Sequence, residues 1–147
     1  MISENKLKHI LGVARACEKE AKRLGLTKEE QDACFVMGFL HDIGYERITS
    51  ENITEHPQKG YDLIMTATSY LPQISSAIQR HGRCKKDDMN TFDYILNYAD
   101  LTTDHKGQPV SMEERLDLIK ERHGENSIHY KHAKDQAEIL KATSIKA

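Results

Sequence analysis

Apolar positions recur at three- and four-residue steps along most of the chain, the period of a helix with one packed face. Over residues 3–24 the stripe is Leu7, Ile10, Leu11, Ala14, Cys17, Ala21 and Leu24, and Gly25 follows as a C-terminal cap. Thr27 and Glu30 make a capping box that opens a second helix, which runs into FVMGFL at 35–40. That run is apolar on all sides, as in an element buried in the middle of a fold. Residues 43–55 are polar and without a period, so a loop is expected there. A third helix is predicted over 55–68, with Pro57 in its first turn and Gly60, Leu63 and Ile64 on the packed face. A fourth starts at Pro72 and passes through Ile74, Ala77 and Ile78 to His81, where Gly82 ends it. Phe92, Ile95, Leu96, Tyr98 and Ala99 mark a fifth over 91–101. Ser111 and Glu114 open a sixth that closes at His123 and Gly124, and a seventh spans 127–142. No stretch reads convincingly as a strand, and there are no repeats. The pattern predicts an all-α fold of six to seven helices in one domain over 1–147.

The polar residues that interrupt this pattern carry the chemistry. The apolar run at 35–40 stops at His41 and Asp42, and burying an imidazole and a carboxylate costs free energy unless something compensates. A divalent metal would compensate, since both groups are ligands and neighbours can converge on one ion. Asp100 lies inside the apolar fifth helix, whereas Asp104, one turn later, looks more exposed. His9 borders the first stripe and, taken alone, reads sooner as a half-exposed surface residue than as a ligand. His56 near the start of the third helix reads as a cap or as an inward-facing ligand. His81 at the end of the fourth reads as a dipole partner or as a ligand. Each candidate falls at the end, or on the packed face, of a different helix, which is how metal sites in helical bundles are assembled. Four imidazoles and two carboxylates exceed one closed tetrahedral zinc. They suit one octahedral ion, or two ions with open positions for water. Iron, manganese, nickel or zinc fits that mixed nitrogen and oxygen set, whereas magnesium or calcium would want more oxygen.

Composition narrows the class. The chain is 38% hydrophobic and 30% charged, with a formal net charge of −2, so no basic footprint for nucleic acid is present. No apolar run approaches a membrane span, and the first residues lack a signal-peptide core. Cys17, Cys34 and Cys84 have no CxxC spacing and read as reduced thiols, which gives a cytoplasmic expectation. Eight histidines are many for 147 residues; His105, His123, His129 and His132 lie among Lys, Arg and Gln and look like surface residues. Arg80, Arg83, Lys85 and Lys86 around the loop after the fourth helix read as a solvated surface or as a grip for an anionic substrate. The apolar positions of the seventh helix, Ile128, Ala133, Ala137, Ile139 and Leu140, suit packing on the domain or on a second subunit, which admits a homodimer.

The ordered set His9, His41-Asp42 in HDIG, His56 in EHPQKG, His81 in IQRHG and Asp100 in NYADLTTD resembles the HD superfamily of metal-dependent phosphohydrolases over residues 3–104. The resemblance implies an HD-domain helical bundle. It also implies that His9, His41, Asp42 and Asp100 hold a first ion. His56 and His81 would hold a second, with Asp42 shared between the two and His41 and Asp42 as the catalytic pair. The pattern departs from the HD-GYP cyclic-dinucleotide phosphodiesterases. Tyr45 stands where their lysine follows HDIG, the doubled histidine near His81 is missing, and no GYP segment follows.

The implied chemistry is hydrolysis of a phosphate ester or anhydride by metal-activated water, on a small phosphorylated substrate of nucleotide class. Arg80, Arg83, Lys85 or Lys86 would clamp a distal phosphate, with Tyr45 or Arg47 from the other side. In so short a chain, little room is expected for an elaborate nucleotide pocket. Two other readings share the same residues: an HD-fold di-iron oxygenase that cleaves C–C or C–P bonds, and a metal-stabilised binding module without catalysis.

Overall fold

The computed structural model describes residues 3–47, 50–67 and 72–143. Among them the chain forms α1 (Glu4–Arg23), α2 (Lys28–Leu40), α3 (His56–Ala67), α4 (Pro72–Arg80), α5 (Thr91–Leu101), α6 (Met112–His123) and α7 (Ile128–Ala142). No strand occurs among the described residues, so the protein is all-α, as the apolar period predicts. Residues 43–55, expected as a loop, form two 3-10 turns at Ile43–Arg47 and Ser50–Glu55. Helix starts follow local chemistry. Thr27 with Glu30 and Ser111 with Glu114 form the expected capping boxes, and Asn90 with Asp93 forms a third. Each side-chain cap contributes about 1 kcal/mol by satisfying an otherwise orphaned N–H.

The core gathers Val13, Cys17 and Ala21 of α1, Cys34 and Met37 of α2, Ile74, Ala77 and Ile78 of α4, and Ile95, Leu96 and Ala99 of α5. Helix α5 is the common partner, packed against α1, α2, α4, α6 and α7. Between α1 and α2 the backbones nearly touch: a Cβ on Gly38 would lie 2.7 Å from the Ala14 Cα. The run at 35–40 is not buried on all sides. Cys34, Met37 and Gly38 are enclosed, but Val36 and Phe39 are each 40% exposed, because α1, α4 and α5 cover only one side of α2. Helix α7 turns Ala137 and Leu140 into this core, while Ile128 stays exposed. Its buried Gln136 accepts from the Cys84 N–H at 2.9 Å and so pins the loop after α4. No helix among the described residues is long and apolar enough to cross a membrane.

Candidate metal centre

The C-terminal end of α2 delivers two functional groups into the core. His41 is the C-cap of the helix, and its Nδ1–H donates to the Gly38 carbonyl at 2.6 Å. Three more imidazoles are anchored in the same way: His9 to the Asp104 carbonyl at 2.9 Å, His56 to Ile53 at 2.8 Å and His81 to Ile78 at 2.5 Å. A carbonyl only accepts, so each Nδ1 carries the proton, and each ring in its neutral form presents a bare lone pair at Nε2. All four rings are buried. A backbone carbonyl on the far ring nitrogen is the arrangement that orients histidines toward a metal.

The two carboxylates meet those lone pairs. Asp42 Oδ2 lies 3.3 Å from His41 Nε2 and 3.7 Å from His9 Nε2, whereas its Oδ1 lies 3.2 Å from His56 Nε2 and 3.7 Å from His81 Nε2. Asp100 Oδ1 stands 3.1 Å from His9 Nε2 and 3.5 Å from His41 Nε2. Two groups result, each compact enough for one ion: His9, His41 and Asp42, and Asp42, His56 and His81. Asp42 belongs to both, one oxygen on each side.

As a set of polar groups alone this centre is poorly satisfied. His41 Nε2 is buried without a hydrogen-bond partner, a cost of about 1–3 kcal/mol. His56 Nε2 and His81 Nε2 also crowd each other at 3.1 Å and share the single oxygen Asp42 Oδ1, at 3.2 and 3.7 Å. A cation bound by those nitrogens and by the Asp oxygens satisfies all of them together, and mixed imidazole and carboxylate donors suit a transition metal. The residues therefore fit a divalent ion.

Electrostatics favour the charged carboxylates. Burial alone would raise the Asp42 pKa, but His41, Lys6, His56 and His81 outweigh it and hold the carboxyl well below its usual range. Burial likewise pushes Asp100 up, and His41 and His9 reverse the shift. Desolvation pulls His56 below its ordinary value, which keeps the ring neutral and able to ligate.

The centre opens into a cavity of about 800 Å³, well within the range of small-molecule sites. A pocket of this size exceeds what the chain length suggested. His9, Asp42, His56, His81 and Asp100 line it, and His41 lies behind them, fully buried. Tyr45 lines it too, stacked on the His56 ring at 4.1 Å between centroids. Of the basic residues near the α4 loop, only Arg83 reaches the wall. Arg80 instead makes a two-pronged pair with buried Asp93, at 2.7 and 3.2 Å, and Lys85 and Lys86 point into solvent. The Arg47 side chain lies outside the described residues.

Several lining residues are invisible to a motif reading. Lys6 donates to Asp42 Oδ2 at 2.8 Å and lies 3.9 Å from the centre of the Tyr45 ring. It precedes His9 by one turn on the same face of α1, which was the available signal. The late histidines are not plain surface residues: His105, His123, His129 and His132 all border the cavity, with Arg115 and Arg122 of α6. Arg115, Leu118, Ile119 and Arg122 follow the helical period, so the apolar pair already marked a packed face that carries both arginines. Asp104 contributes through its carbonyl, and its carboxylate accepts from the N–H groups of Lys106 and Gln108 to fold the loop beneath it.

Comparison with known proteins agrees with this centre. Among curated proteins and solved structures none matches the chain. The family model for the HD domain matches residues 7–103, a span that includes all six converging side chains and well over half of the sequence. The chain therefore belongs to the HD domain family.

Proposed function

We propose that the protein is a metal-dependent phosphohydrolase, cleaving a phosphate ester or anhydride of a small phosphorylated substrate, with nucleotides as the class to try first. The observation that carries the reading is the set of four Nδ1-anchored imidazoles aimed at two carboxylates, the half-buried Asp100 and the buried Asp42, which faces both groups. In this reading His9, His41, Asp42 and Asp100 hold one ion, and His56 and His81 with Asp42 hold a second. A bound iron, manganese, nickel or zinc ion would supply Lewis-acid polarisation of a phosphoryl oxygen and acidify a water ligand.

The chain's own residues do the rest. Asp42 spaces the two groups through its two oxygens. Lys6 fixes the Oδ2 side of Asp42 and brings a positive charge to the edge of the cavity, where a phosphoryl oxygen would lie. Tyr45 braces the His56 ring by stacking. Burial of all four rings keeps bulk water from screening these interactions. Three free, buried thiols support a reducing, cytoplasmic setting.

The test is elemental analysis of the wild type and of Asp42→Ala, paired with hydrolysis of an aryl phosphomonoester and diester. Two ions per chain in the wild type, lost in Asp42→Ala together with turnover, is the expected result. A single ion would reduce His56 and His81 to pocket residues, and a metal-free, inert wild type would refute the proposal.

A further inference from the structure

The part of the cavity wall built by α6 and α7 differs in character from the metal centre, and it lies beyond the residues matched by the family model. Arg115 and Arg122 face the cavity from α6, and Arg83 joins them from the loop after α4. Two arginines outside this cavity are paired, Arg23 with Glu20 and Arg80 with Asp93, and Arg15 stands exposed on the surface of α1. Among the described residues Arg83, Arg115 and Arg122 make no ion pair, although Glu121 borders the same cavity. The Arg115 Nε–H is buried and makes no hydrogen bond. A guanidinium cannot shed its proton to escape that cost, so the group is waiting for an acceptor.

The neighbouring histidines sharpen this picture. The rings of His123 and His129 stack at 4.5 Å, and His129 Nε2 is buried without a partner. Burial, with His123 next to it, pulls His129 down to about 4, so the ring is neutral at neutral pH. The fixed positive charge of this wall therefore belongs to the arginines. Their field reaches both ends of the pocket: after burial, Arg122 and Arg115 are what lower His123, and the same two residues act on Tyr45 beside the metal centre. The wall thus offers a cationic, partly desolvated donor set in the same cavity as the phosphoryl-binding centre.

We propose that Arg115, supported by Arg122 and Arg83, forms an anion subsite for a second phosphoryl group, so that the substrate carries at least two phosphoryl groups and is not a simple monoester. Planar guanidinium donors recognise phosphate in pairs of hydrogen bonds, which makes Arg115 the specificity-determining contact. The first phosphoryl group lies at the His–Asp centre on the hydrolase reading above. The subsite itself binds anions whether or not that reading holds.

The two groups are either linked in one tail or separated on one scaffold, and the probes distinguish these sources. Calorimetry would compare inorganic pyrophosphate with phosphate, and fructose bisphosphate with fructose monophosphate. The titrations would use wild type, Asp42→Ala, Arg115→Ala, Arg115→Lys and Arg122→Ala. One bisphosphorylated probe should bind wild type at least about tenfold more tightly than its single-phosphoryl counterpart. Arg115→Ala should abolish that preference, Arg115→Lys should restore part of it, and Arg122→Ala should weaken it. Asp42→Ala should still bind the anion, which separates this proposal from the fate of the metal. Equal binding of both members of each pair, or a preference that survives in Arg115→Ala and Arg122→Ala, would overturn it. Circular dichroism on each variant checks folding, and a misfolded Arg115→Ala leaves Arg122→Ala to decide.

Discussion

His9 and Asp104 are joined by a hydrogen bond of 2.9 Å from the imidazole Nδ1–H to a backbone carbonyl, across 95 positions of sequence. That bond ties α1 to the loop after α5 and aims the other ring nitrogen at Asp100. The loop can lie so close to α1 only because glycines meet there. A Cβ on Gly12 would sit 2.5 Å from the Gly107 carbonyl oxygen, and one on Gly107 would sit 2.1 Å from the Lys8 oxygen. Gly107 also has φ +79°, a region that costs an L residue roughly 1–2 kcal/mol. Gly107→Ala should therefore lift the loop, release His9 and lower the melting temperature by roughly 3–8 °C. Metal content should fall with it. Thermal melts and elemental analysis on the one variant check both, and an unchanged melt would refute the role given to this contact.

Gly44 plays the corresponding part for His56. A Cβ there would fall 1.7 Å from the His56 carbonyl oxygen and 2.6 Å from the Gly60 nitrogen, so the turn after Asp42 rests directly on the start of α3. Backbone cannot yield as a flexible side chain does. Gly44→Ala should push α3 away and remove His56 from the centre, so its metal content should match that of His56→Ala. A Gly44→Ala protein with wild-type metal content would show that His56 does not depend on this contact.

How much of this was legible depended on what the chemistry left in the sequence. The helices were, because apolar spacing and capping pairs such as Thr27 with Glu30 act locally. So were His41, Asp42 and Asp100, whose cost in or beside apolar runs is readable without coordinates; His9, His56 and His81 were ambiguous singly and joined them only through their order along the chain. Asp104 was not, because it acts through its carbonyl, which every residue possesses. Arg80 misled as a substrate grip because its partner, Asp93, sits a loop and a helical turn away and becomes visible only when α4 and α5 pack. The late histidines looked solvated for the same reason: their cavity exists only once α6 and α7 fold over the bundle.

Lys6 holds Asp42 Oδ2 at 2.8 Å, on the side of the carboxylate shared with His9 and His41. Its ammonium competes electrostatically with a cation for that oxygen, yet adds positive charge where a phosphoryl group would gather negative charge. Lys6→Met should therefore retain the metal at least as firmly as wild type while turning over a phosphoester about tenfold more slowly, or about 1.4 kcal/mol in barrier. Metal content and kcat/KM on the same preparation separate the two effects. Loss of metal together with activity would instead make Lys6 part of the scaffold of the centre.

The three cysteines give a pH prediction that is independent of any metal. Burial pushes the Cys34 thiol up to about 12 and that of Cys84 up to about 11, and it raises Cys17 well above the ordinary value. In the unfolded chain the same groups ionise near about 8.5. A group with a raised folded pKa keeps its full contribution to stability below the unfolded value and loses it as pH climbs toward the folded one. Stability should accordingly decline from about pH 9 upward as the unfolded state sheds thiol protons that the folded state retains. At pH 8 a thiol-specific disulfide reagent should label none of the three in the native protein and all three in denaturant, since both the protonated state and burial block attack. Rapid labelling of one native cysteine would show that the core opens locally around that residue. Absence of any alkaline decline in a series of urea midpoints would mean that other groups, not the thiols, dominate the titration.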